Sequence, residues 1–118
     1  MKQEPTICFF VAGCMEFQNL AELHEGLTLA QAVDVFVKIR KRNSPYLPGI
    51  GFVLKDDGLP DFSDMPWPLY QGGKVAREEI AMIPAFAGHP LVKNAVRELE
   101  HYIPMMEKAL KRKVRMER

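Results

Sequence analysis

The segment from Gly49 to Gly73 constrains this chain more than any other. Gly49-Ile-Gly-Phe-Val-Leu-Lys reads as a buried strand, Asp56-Asp57-Gly58 as a turn, and Trp67-Pro-Leu-Tyr as a second short strand ending at Gly72-Gly73. Pro66 and Pro68 each remove a backbone donor, so the second strand is expected at a sheet edge. Gly49 and Gly51 open a strand instead of following one, which places them badly for cradling phosphate at a helix N-terminus. The segment therefore specifies architecture and carries no reactive group of its own.

The flanking sequence completes an α+β pattern. Thr6 to Cys14 is rich in β-formers and apolar at successive positions, which predicts a strand covered on both faces or central in its sheet. Met15 to Gly26 reads as a connector. Thr28 with Gln31 three residues on is a capping-box pair, and Leu29, Ala32, Val33, Phe36, Val37 and Arg40 follow at helical spacing. Val75 to Ile83 reads as a short helix stopped at Pro84. Pro90 suits a helix first turn, and Leu91, Val92, Ala95, Leu99, Tyr102 and Ile103 form a second apolar stripe, interrupted at Pro104. The expectation is a three-stranded, mainly antiparallel sheet (6–14, 50–55 and 67–71). Helices near 28–42 and 90–103 should cover one face, with the 75–83 helix at one end.

Length and charge bound the rest. A chain of 118 residues makes one domain, and 47% hydrophobic content supports an ordinary core. Residues 1–104 read as that domain and 105–118 as a basic tail, helical or frayed. The tail holds six Lys and Arg against two Glu, while the whole chain carries only +1, so a mildly acidic body bears a basic end. Lys108, Lys111, Arg112 and Arg115 would fall near one helical face and could meet nucleic-acid phosphates. No apolar run approaches the roughly 18 residues of a membrane span. Val11-Ala-Gly-Cys14 resembles a lipoprotein cleavage site, but the apolar stretch before it is too short for a signal peptide.

The candidates for chemistry are sparse. Asp56, Asp57, Asp61 and Asp64 cluster, but their offsets fit turn formation better than a cation loop. His24-Glu25 invites an acid–base reading, although adjacent residues on an extended chain point apart. His89 before Pro90 reads as a cap. Cys8 and Cys14, embedded in an apolar strand, read as buried structural thiols in a reducing, cytoplasmic setting. No metal or cofactor pattern is present. Trp67 and Tyr70 on the proline-flanked strand are the residues most suited to anchoring a protein partner, and an edge strand with Met105 and Met106 would also suit a homodimer.

Three segments, Val11-Ala-Gly-Cys-Met-Glu-Phe with Leu23-His-Glu-Gly-Leu-Thr-Leu, Pro48-Gly-Ile-Gly-Phe-Val-Leu, and Ile83-Pro-Ala-Phe followed by His89-Pro-Leu-Val, together resemble small uncharacterised domains. Those domains are encoded on conjugative, transposon-like elements of Gram-positive bacteria and are of the type associated with large polyvalent proteins. The resemblance spans residues 6 to 104 and implies a mobile-element accessory role in the cytoplasm. It supplies no catalytic residues. The expectation is a non-enzymatic interaction module. The alternatives are nucleic-acid binding through the tail and a small enzyme using His24, Glu25 or the Asp56–Asp64 cluster.

Overall fold

The computed structural model describes residues 4–14, 20–42 and 47–116; the side chains of residues 14, 20–22, 42, 47 and 111–116 lie outside that description. Its elements run β1 (Thr6–Cys14), β2 (Leu20–Leu27), α1 (Leu29–Arg42), β3 (Leu47–Lys55), β4 (Pro66–Gln71), β5 (Lys74–Val75), α2 (Arg77–Ala81), α3 (Pro84–Ala87) and α4 (Pro90–Met116). The strands form one antiparallel sheet in the order β2-β1-β3-β4-β5. The α+β class is as expected, but five strands replace the expected three.

The two additional strands have different causes. β2 was expected as a connector, because Leu20-Ala-Glu-Leu-His-Glu-Gly-Leu mixes weak β-formers with charge. It forms because β1 offers it a full antiparallel partner, from Phe9 opposite Leu27 to Cys14 opposite Leu20. β5 forms because Gly72 and Gly73 both take positive φ (61° and 80°), the requirement of a two-residue hairpin turn whose twist matches its strands.

One face of the sheet carries the core. Phe9 and Val11 of β1 and Ile50, Phe52 and Leu54 of β3 alternate inward, as a period of two demands, and meet Leu29, Ala32, Val33, Phe36 and Ile39 of α1. α1 starts at the expected box: Gln31 N–H donates to Thr28 Oγ1 (3.2 Å) and Thr28 N–H donates to Gln31 Oε1 (2.9 Å). Its buried stripe runs through Ile39, while Arg40 is exposed. From α4, Val92, Ala95, Leu99 and Met106 join the same cluster.

α4 does not stop at Pro104. A proline inside a helix removes one hydrogen bond and costs on the order of 3 kcal/mol. The apolar stripe continues across it, however, and Met106 is only 2% exposed. Burial of that stripe against the rest of the fold outweighs the local penalty. The boundary expected at 104 thus falls inside a helix. The region expected as one helix at 75–83 is instead β5, α2 and the start of the turn into α3. An Arg77–Glu100 ion pair ties α2 to α4.

β1 was expected to be covered on both faces or central in its sheet; it is an inner strand, between β2 and β3, with one face covered. Phe9 and Val11 are buried, whereas Cys8 is exposed and Phe10 and Ala12 are half-buried. The exposed Cys8 thiol corrects its reading as a buried structural residue. Cys14's side chain lies outside the described residues.

Candidate functional site

β4 brings the two sequence-selected aromatics into different surroundings. Gly51 pairs with Pro68 and Ile50 with Tyr70, leaving Leu69 as the extra residue of a bulge. The bulge turns both Trp67 and Tyr70 toward the helices although they are three residues apart. Tyr70 is 7% exposed and packs edge-on against Phe36 at 5.5 Å. Trp67 stands half-buried against Phe86 (5.1 Å between ring centres) and Phe62 (5.9 Å), and its Nε1–H donates to the Phe62 carbonyl at 3.3 Å. β5 pairs with Tyr70 and Gln71, and the Ala76 N–H donates to the Leu69 carbonyl at 2.8 Å, so the Pro66–Pro68 part of β4 keeps an outer edge. Pro66 and Pro68 offer no N–H there, which disfavours addition of a partner strand.

The accessible side of Trp67 is the wall of an apolar pocket. The pocket, about 270 Å³, is formed with Pro68, Glu79, Ile80, Met82, Ile83 and Phe86. Met82, in the turn between α2 and α3, is 79% exposed, and Met65 beside β4 is 45% exposed. Single exposed apolar residues need no explanation. Met82 on the rim of a tryptophan-walled pocket is the adaptable chemistry that protein-binding surfaces favour.

A second depression follows the glycines of β3. An open groove of about 760 Å³ passes Gly49 and Gly51 between Phe10 and Pro68, then rounds the end of the sheet to Arg40, Tyr70 and Glu107. Burial pushes the Tyr70 phenol above its ordinary pKa of 10.0. The Glu107 carboxylate pushes the same way, and Arg40 opposes both. The phenol therefore stays protonated at neutral pH.

His89 has a defined polar partner. Its Nε2 lies 2.8 Å from Asp56 Oδ2, and its Nδ1 accepts the Leu91 N–H at 3.2 Å. That acceptance leaves the ring proton on Nε2, pointing at the carboxylate. His89 is thus the expected cap of α4. Through Asp56 it also clamps the 56–64 loop, whose Gly58 N–H donates to Asp56 Oδ1 (2.8 Å). The Asp56 N–H in turn donates to Ser63 Oγ (3.0 Å). Both imidazole nitrogens are thus engaged in holding the loop and the helix start. His-Pro at a helix start was visible in sequence; Asp56 as its partner, 33 residues away, was not.

The remaining sequence candidates do not converge. His24 lies opposite Val11 on β2, and Glu25, its neighbour, projects to the other face of the sheet. Asp57, Asp61 and Asp64 are exposed around the turn that Asp56 organises. Among the described residues no three His, Cys, Asp or Glu side chains gather as a metal site. Lys108 is exposed on α4. Lys111, Arg112 and Arg115 continue the same helix, with side chains outside the described residues. No described helix is long and apolar enough to cross a membrane. No family model, curated protein or solved structure matches the chain.

Proposed function

We propose that this chain is a protein-interaction module, acting without chemistry of its own as a cytoplasmic accessory of a mobile genetic element. The observation that carries the interaction reading is the Trp67 pocket with Met82 exposed on its rim. A buried aromatic wall beside a polarizable, unbranched side chain suits insertion of one apolar side chain from a partner protein. The mobile-element role rests on the sequence resemblance alone. Met82→Glu tests the interaction reading without touching the core, because the side chain is already in solvent. Affinity capture from a host carrying the element should recover a defined partner with the parent chain and lose it with the variant. An identical set of captured proteins from both would overturn the assignment of this surface.

A second reading is favoured by the continuity of α4 past Pro104. Because the helix runs to Met116, positions 108, 111, 112 and 115 fall on adjacent turns of one helix. Such a row of cations suits the phosphates of a nucleic acid. Salt-dependent DNA or RNA affinity that falls on Lys111→Glu/Arg112→Glu substitution is the expected result; affinity unchanged by the double variant would remove it.

A further inference from the structure

The opposite flank of α2 carries a second depression, and its charge differs from that of the Trp67 pocket. A shallow groove of about 350 Å³ runs between α2 and α3 on one side and the first half of α4 on the other. Ile80, Phe86, Val92 and Val96 make its floor, and the small side chains of Ala81 and Ala87 keep one wall low. The charged groups that line it are Arg77, Lys93, Arg97 and Glu100, three cations against one anion. That anion is already engaged, because Glu100 pairs with Arg77 across the groove. Lys93 and Arg97 are exposed, and among the described residues neither has an ion-pair partner. They stand four residues apart on one face of α4, a spacing at which like charges repel. The charged residue lining the Trp67 pocket is, in contrast, Glu79.

We propose that this groove binds an acidic segment of a partner protein, with an apolar side chain seated between α2 and α4 and flanking Asp or Glu residues against Lys93 and Arg97. Two kinds of complementarity coincide there. The floor takes an apolar anchor, and the two cations at its rim call for carboxylates beside that anchor. A nucleic acid matches only the charge. Its phosphates would cover an apolar floor, and Phe86, at 1% exposure, offers no face on which a base could stack. An open groove of this size also suits a length of chain better than an enclosed small molecule. The contact is separate from the Trp67 pocket, although Ile80 and Phe86 line both. It assigns the partner a charge, which the Trp67 pocket leaves open.

Selection from a phage-displayed library of random peptides on the immobilised full chain tests this. The parent chain should enrich peptides that join Asp or Glu to Leu, Ile, Phe or Met, and their binding should weaken as salt rises. Lys93→Glu/Arg97→Glu should lower affinity for those peptides about tenfold and, in a fresh selection, enrich Lys- and Arg-bearing peptides instead. Both side chains are already in solvent, so the fold is retained. Ala81→Trp, also at an exposed position, should fill the groove and abolish binding by bulk alone. No enrichment on the parent chain, or the same peptides on the parent and the charge-reversed chain, overturns the proposal. Peptides lost with Met82→Glu but kept by the charge-reversed chain occupy the Trp67 pocket, which refutes the groove and leaves the interaction reading intact. Peptides lost with charge reversal but kept with Met82→Glu support the groove, whatever becomes of the Met82-dependent capture.

Discussion

Phe52 and Val53 are neighbours on β3 and occupy opposite worlds. Phe52 is fully buried and meets Phe86 edge-on at 5.5 Å. Val53, one residue on, sits half-exposed on the face no helix covers. The covered face is filled by side chains from seven elements, so its stability comes from packing. The open face is made of small residues, one phenylalanine laid across a glycine, and prolines. The difference shows that a strand apolar at every position does not imply cover on both sides by its own chain.

The sharpest way to break that comparison is to truncate both neighbours. Phe52→Ala should cost about 3–5 kcal/mol in urea unfolding, the range for deleting a buried aromatic. Val53→Ala should cost under about 1 kcal/mol. Equal losses would mean that the open face is packed after all.

Gly51→Ala probes the open face directly. The new methyl meets the Phe10 ring, which can rotate away, and the Trp67 carbonyl, which is backbone. A loss of about 1–3 kcal/mol is expected. Combining it with Phe10→Ala should recover part of that loss, a non-additivity readable in a double-mutant cycle. On the covered side, His89→Ala removes a helix cap and the Asp56 clamp together. About 1–2 kcal/mol is expected, with faster amide exchange at Leu91 and in the 56–64 loop.

The smallest effect belongs to Tyr70, where the covered face meets the end of the groove. Its folded pKa is raised above 10.0, so the folded chain holds this proton more tightly than the unfolded chain does. The contribution is complete below pH 10 and is lost as pH rises from there through the folded value. Tyr70→Phe should therefore flatten part of the alkaline decline in melting temperature above pH 10 and leave the neutral range unchanged.

Much of the covered face could be read from the chain. Thr28 and Gln31 announced the start of α1, the stripes of α1 and α4 marked the core, and β1, β3 and β4 were visible from their β-branched and aromatic content. β2 was hidden because its pairing is supplied by β1, and no local propensity of Leu20 to Leu27 demands it. The path of α4 through Pro104 was hidden for the same kind of reason: a local breaker lost to distant burial at Met106.

The candidate sites followed this division. Trp67 was visible as an aromatic between prolines, but the pocket it walls needs Met82 and Ile83, brought in by the turn between two short helices. His89 was visible as a cap, while Asp56 became its partner only when the loop folded back.

The Gly49–Gly73 segment specified two strands, a turn and a glycine-closed end by itself, because steric limits on proline and glycine are local. Which of its two faces would be covered, and that Gly51 would lie under Phe10 at the floor of an open groove, only the tertiary structure decided. Cover depends on where helices land, and that is set by contacts far apart in sequence.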